Sequence, residues 1–242
     1  MGAGAATGGE WRAAGLLVVT SRPAAPLEPA YHEWYEQEHI PARTRLPGWL
    51  TARRYLAPDD GSFLAYYDLA NLRLLSDPEY VRLRANRSPR EQAVLGSVDF
   101  LDRRVYRRLA SPAVEDLEAA RPADDLVVCG PLLLCVWWEP SPGTEDRFHA
   151  WYEEEHLPLL ATVPGWLRSR RFELVEGGGQ RFLAMHDLAD RSVFSHPAYR
   201  AATSSPRRDA VVADRVAHQR RVYHLLRNLD PAPLAPDSER LL

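Results

Sequence analysis

Two histidines occupy the same place in two nearly matching strings, His39 in YHEWYEQEH (31–39) and His156 in FHAWYEEEH (148–156). Imidazole changes charge near neutral pH, so a repeated histidine closing a helix-patterned run is a candidate general acid or base. The negative end of the helix is expected to favour the protonated ring and hold its pKa near the working range. The competing reading is a capping histidine that bonds the last free carbonyls beside Pro41 or Pro158. Glutamates precede both histidines. On a wheel of about 100° per residue, Tyr31, Trp34 and Tyr35 define an apolar sector that contains Glu38. Trp151, Tyr152 and Glu155 repeat it. An acid facing a core needs a partner or a raised pKa. It either pairs with a strand arginine such as Arg54 or Arg171, or shares in proton transfer.

His32, Glu36 and His39, like His149, Glu153 and His156, fall at metal-ligand spacing along a helix. That face turns largely away from the apolar sector, and no metal is expected. A later strand carries Tyr67 in the first copy and His186 in the second. If this face lines a cavity, His156 and His186 form one pocket, and His39 and Tyr67 another. Drift of a core position explains the pair equally well. Tyr106 and Tyr223 could donate to an oxyanion or could simply pack.

The elements that position these residues come in duplicate. Aligned without gaps from Leu16 and Leu133, roughly 18 of about 40 positions are identical, far beyond chance. Each copy reads strand, helix, strand, strand, helix, strand. The opening strands are 16–20 and 132–138, and the first helices span about 28–39 and 145–156, the second capped by Thr144. Pro41 and Pro158 should end or kink these helices. Hairpins turn at 59–61 and at 177–179, and Ser88-Pro89-Arg90-Glu91 fits a capping box. The predicted organisation is a first repeat over 1–112 with a loose lead-in over 1–14, a connector over 113–125, a second repeat over 126–230, and a tail over 231–242. The fold class is α+β: two tandem ferredoxin-like βαββαβ repeats whose sheets cover each other face to face, closing an intramolecular barrel.

Composition narrows the chemistry. All 30 basic residues are arginine, so a Schiff-base, cofactor-anchoring or phosphate-loop lysine is excluded. A net charge of −3 gives no basic field for nucleic acid or anionic lipid, and no apolar run is long enough to span a membrane. Cys129 and Cys135 in an apolar run suit a reduced, cytoplasmic core. Nucleophile-elbow, dinucleotide and Walker signatures are missing.

The string FHxWYxxEHxPxxxxxPGWLxxRRF, together with NRSPREQAVLGSVDFLDRRVY, resembles the dimeric α/β-barrel superfamily, specifically EthD-domain proteins and their duplicated relatives. The resemblance covers about 16–109 and 132–226. It implies a cavity between helices and sheet, with a catalytic role for His39 and His156. The superfamily holds cyclases, isomerases, decarboxylases, cofactor-free monooxygenases and haem enzymes. The expectation is therefore a cofactor-independent enzyme that moves a proton on a hydrophobic, polyketide-like or aromatic metabolite. His156, His39, His186 and Tyr67 would be catalytic. Glu38, Glu155, Arg54, Arg171, Trp34, Trp151, Tyr106 and Tyr223 would shape the substrate site. Small-molecule binding without turnover, and haem binding, are the rivals. The partner is a hydrophobic small molecule, and a homodimer of the duplicated chain is compatible with the pattern.

Overall fold

A computed structural model describes residues 13–113 and 129–229. Except for residues 13, 14 and 113, the expected lead-in, connector and tail lie outside the described residues. The first half contains β1 (Gly15–Pro23), α1 (Glu28–Trp34), α2 (Ile40–Thr44), β2 (Trp49–Leu56), β3 (Phe63–Leu69), α3 (Pro78–Ala85), α4 (Pro89–Leu95) and β4 (Val98–Arg108). The second contains β5 (Leu132–Pro140), α5 (Glu145–Trp151), α6 (Leu157–Ala161), β6 (Trp166–Glu176), β7 (Phe182–Leu188), α7 (Pro197–Ala202), α8 (Pro206–Ala213) and β8 (Arg215–Leu229). Strand positions follow the expected pattern. Thr144 departs from it: its hydroxyl donates to the Ser141 carbonyl at 2.8 Å instead of capping α5.

The eight strands close one antiparallel barrel in the order β1-β3-β2-β8-β5-β7-β6-β4, and β4 pairs back to β1. Each half supplies four neighbouring strands, and the seams between halves are β2 to β8 and β4 to β6. Closure leaves no free sheet edge. It also explains the unbroken apolar run in β5: Leu132, Leu134 and Trp138 face outward against helices, while Leu133, Cys135 and Trp137 face the barrel interior. Strict alternation of polar and apolar residues is expected only where one face meets water. Each half thus has its own helix-to-sheet core, and a third core fills the barrel. A fully buried large apolar side chain contributes roughly 1.5–3 kcal/mol. Three such clusters are ample for a stable fold.

The Pro-Gly pairs leading into β2 and β6 form matching turns, with Gly48 at φ 86° and Gly165 at φ 82°. A side chain is strained there, and a Cβ on Gly48 would also lie 2.8 Å from the Leu74 side chain.

One end of the barrel interior is filled by a buried clasp between the halves. Arg170 donates to both carboxylate oxygens of Asp68 (3.0 and 3.3 Å), to Tyr66 Oη (3.3 Å) and to Asp187 (3.4 Å). Burial works to raise both carboxyls. Asp68, which has the closer guanidinium contact and a hydrogen bond from Thr51, is nevertheless held below its ordinary value. For Asp187 burial wins over Arg170 and Arg168, and its carboxyl is pushed up. Neither Cys129 nor Cys135 is in a disulfide. No helix among the described residues is long and apolar enough to cross a membrane.

Candidate functional site

The helices that carry His39 and His156 do not end at the prolines. Between α1 and α2 the chain forms a π-turn over Tyr35–His39, closed by a hydrogen bond from the Ile40 N–H to the Tyr35 carbonyl. Tyr152–His156 repeats it, with the Leu157 N–H bonded to the Tyr152 carbonyl. Proline lacks an N–H and its ring crowds the carbonyl four residues back. Widening the preceding turn by one residue relieves both and carries the helix through.

The bulge also rearranges the acids. Glu38 does not meet Arg54, because the extra residue turns it towards α4, where its Oε1 accepts from Ser88 Oγ at 2.5 Å. Glu155 accepts from Ser205 in the same way. The strand arginines are met instead by the His32–Glu36 and His149–Glu153 edges. Arg54 Nη2 lies 2.7 Å from His32 Nδ1, and Nη1 lies 4.0 Å from Glu36. Arg171 contacts Glu153 Oε1 and His149 Nδ1, each at 2.7 Å. Each guanidinium also lies over a tyrosine ring, Arg54 at 4.3 Å from the Tyr35 centroid and Arg171 at 4.2 Å from that of Tyr152. The His32–Glu36 and His149–Glu153 edges are thereby engaged by the Arg54 and Arg171 guanidinium groups. Among the described residues no group of three His, Cys, Asp or Glu side chains is arranged to hold a metal ion.

His39 sits inside the first helix-to-sheet core, its ring 4.3 Å from Trp34, 4.8 Å from Tyr35 and 6.4 Å from Tyr67. Its Nδ1 is 3.7 Å from Glu91 Oε1, too far for a hydrogen bond. The Glu91 carboxylate thus faces His39 and Arg43 rather than closing a reciprocal capping box, although Ser88 does cap α4. The helix end was expected to favour the charged ring. Burial, joined by Arg43 and Arg54, instead holds the His39 pKa well below the ordinary histidine value. Three buried polar atoms here lack a hydrogen-bond partner: His39 Nδ1, Tyr67 Oη and Trp34 Nε1. Burial keeps the Tyr67 hydroxyl protonated throughout the ordinary range.

In the second half, His156 stacks on Trp151 at 4.3 Å, and its Nδ1 is 2.9 Å from the Ala202 carbonyl oxygen. Nδ1 must therefore carry the proton. Burial lowers its pKa to about 4, with the Ala202 bond opposing and Arg208 and Arg171 assisting. His186 shares this core, and burial followed by the field of His156 pushes its pKa well down. Ser169 Oγ accepts from Trp166 Nε1 (3.0 Å) and shares a hydrogen bond of 2.8 Å with His186 Nδ1. The structure thus brings His39 near Tyr67, and His156 near His186.

Aromatic side chains pack beneath both helices. Trp34 and Trp151 are core residues, and the crevice between Trp138, Phe148, Tyr152 and Arg171 has no water-sized space. Tyr106 and Tyr223 are on the opposite side of the sheet, inside the barrel, where Tyr106 Oη accepts from Trp137 Nε1 at 3.2 Å. There, at the end away from the Arg170 clasp, a chamber of about 230 Å³ opens, bounded by Tyr223, Arg104, Arg221, Asp60 and Asp102. Sequence reasoning missed this group. Its signal was present in the period-two phase of the RRVY strands, which puts Arg104 on the face of Tyr106 and Arg221 on that of Tyr223.

No protein-family model matches the chain, and no curated protein sequence matches it. Solved structures do. An anthrone oxidase-like protein superposes with a TM-score of 0.62 at 12% identity, over 95% of this chain and 98% of that one. A Fusobacterium nucleatum subsp. nucleatum protein assigned as a monooxygenase gives 0.57 at 9% identity, over 91% and 95% of the two chains. A mutant chlorite dismutase from Candidatus Nitrospira defluvii, in complex with cyanide, gives 0.52 at 10%, over 88% and 91%. The fold of this chain is that of the dimeric α/β-barrel proteins.

Proposed function

We propose that this chain is a cofactor-independent enzyme built of two tandem ferredoxin-like repeats of the EthD type, 1–112 and 126–230, and that its first half moves a proton on a hydrophobic, polyketide-like or aromatic metabolite. The reaction is a cyclisation, isomerisation or decarboxylation through an enolate. The observation that carries this reading is the patch of three unpartnered buried polar atoms, His39 Nδ1, Tyr67 Oη and Trp34 Nε1. Nearly all buried polar groups in folded proteins are bonded, so three orphans in one core leave places for a ligand to fill. In this scheme neutral His39 accepts the proton, Glu91 stabilises the imidazolium formed, and the Tyr67 hydroxyl donates to the developing oxyanion. Substrate enters by lifting the bulged helix off β3. The names of the neighbours, an anthrone oxidase-like protein and an assigned monooxygenase among them, support small-molecule chemistry in this fold.

A haem does not fit. His39 is ringed by Trp34 and Tyr35 and His156 is stacked on Trp151, so neither has an open slot for a flat macrocycle. A second reading is a small-molecule binding protein without turnover, for which the chamber of about 230 Å³ in the barrel mouth is the observation.

Anthrone is a suitable probe, because its exchange of C10 hydrogen for deuterium measures enolisation without an oxidant. The intact chain should accelerate exchange. His39→Ala should reduce that acceleration about 100-fold or more, and His156→Ala should leave it within a few-fold. Binding of anthrone with no accelerated exchange selects the second reading. Full activity in His39→Ala ends the first.

A further inference from the structure

The mouth of the barrel is lined unequally by its two halves. At a constant spacing of 117 residues, Arg104 matches Arg221, and Asp60 matches Gly177. Asp60, on the β2–β3 hairpin, crosses the seam and accepts from Arg221 Nη1 at 2.8 Å, and Ser62 Oγ accepts from the same nitrogen at 3.1 Å. The β6–β7 hairpin approaches Arg104 equally closely but brings only Gly177, Gly178 and Gly179. A Cβ at Gly177 would lie 2.8 Å from the Arg103 carbonyl, and one at Gly179 2.6 Å from Arg104 Nη1. Both have φ above +100°. Glycine fits there and an acid does not.

Arg104 consequently has a single close carboxylate, Asp102, 2.6 Å from Nη2, and its Nε and Nη1 have no acceptor. Two arginines and two aspartates balance the formal charge of the chamber wall, so the shortage is of acceptor oxygens rather than of negative charge. Phe100, Trp137 and Val18 also line the chamber and give it apolar surface, two of them as flat rings. The Tyr223 hydroxyl, kept protonated by burial, is a further donor.

We propose that this mouth binds a small aromatic monocarboxylate. The carboxylate accepts from Arg104 and Tyr223, and the ring lies against Phe100 and Trp137. At about 230 Å³ the chamber is below the roughly 300–1,000 Å³ of sites for drug-sized ligands, which suits one ring and excludes a polycycle. The site is separated by the sheet from His39 and does not depend on the chemistry assigned there.

Benzoate is the probe, titrated into the intact chain by calorimetry with ligand-observed NMR as a second readout. Saturable binding is expected, with benzyl alcohol, which lacks the carboxylate, at least about tenfold weaker. Arg104→Met should weaken benzoate about tenfold or more. Gln219→Glu adds a carboxylate to the chamber wall while leaving Arg104 in place, should weaken it comparably, and serves if Arg104→Met does not fold. His39→Ala should leave benzoate affinity unchanged, which separates this site from the proton-transfer patch. No saturation up to about 10 mM benzoate, equal affinity for benzyl alcohol, or unaltered wild-type affinity in both variants would overturn the assignment.

Discussion

Beneath the first bulged helix, Tyr67 and His39 have polar atoms with no partner, whereas beneath the second, His186 is bonded to Ser169 and His156 to the Ala202 carbonyl. The helices, π-turns and strand arginines match, so the difference comes down to very few side chains. Ser169 lies directly across the β6–β7 ladder from His186 and supplies a hydroxyl. Its counterpart across from Tyr67 is Ala52, which has none to offer. A buried polar tip is satisfied or orphaned by the single residue opposite it on the next strand. A frame can therefore be duplicated faithfully while the histidine and its strand neighbour are bonded in one copy and unbonded in the other; the matching indole nitrogens of Trp34 and Trp151 lack partners in both.

The Arg170 clasp joins both halves inside the barrel, and its removal carries the largest expected effect. Arg170→Met strands two buried carboxylates and should cost about 3–5 kcal/mol, read from urea denaturation midpoints. An unchanged midpoint would mean that apolar seam contacts alone hold the halves together.

The histidines of the two halves respond to acid in the same direction but can be separated by substitution. Burial sets the His156 pKa at about 4 against an ordinary 6.5, so the unfolded chain takes up the proton first on acidification. Stability from this group is complete above about pH 6.5, declines as pH falls towards 4, and then levels. The loss is on the order of 3 kcal/mol. Stability measured across this window should slope steeply, and His156→Phe should flatten the slope. A slope indifferent to that change would deny that the second-half histidine is buried neutral.

Smaller effects separate the bonded His186 from the unbonded Tyr67. Ser169→Ala should destabilise by about 1–3 kcal/mol, since it leaves both His186 and Trp166 Nε1 without their shared partner. Tyr67→Phe, which removes a hydroxyl that bonds nothing, should cost less than about 1 kcal/mol or even stabilise. Ala52→Ser, which offers Tyr67 the missing partner, should add up to about 1 kcal/mol. Thermal melts of the three variants suffice. A large loss in Tyr67→Phe would show that its hydroxyl is engaged after all.

Much of the barrel was readable from the residues. The doubled string gave the repeat, apolar runs gave the strands, and Pro-Gly pairs and glycine turns gave the hairpins, because these signals are local. The helix through Pro41 was not readable. A wheel of constant pitch has no means of showing a five-residue turn, and the misassignment of Glu38 in place of Glu36 as the acid nearest Arg54 follows directly from that. The barrel-mouth arginines escaped for another reason. Arg221 is met by Asp60 from the opposite half, and a cross-seam pair leaves no periodicity in either strand. Whether the space beneath the helices would be open or filled depended on aromatic packing among Trp34, Tyr35 and Tyr67, and a list of apolar positions does not determine volume.

Both rims of the barrel mouth are encoded in one polypeptide. In an assembly of two identical chains, a codon change that set an acid opposite one arginine would set it opposite both, and a guanidinium with spare donors could never coexist with a fully clasped one. Here the hairpin bearing Asp60 and the hairpin bearing Gly177 mutate independently. The single chain can therefore hold two unlike neighbours around a common axis, an option that symmetry denies to any homodimer of the same shape.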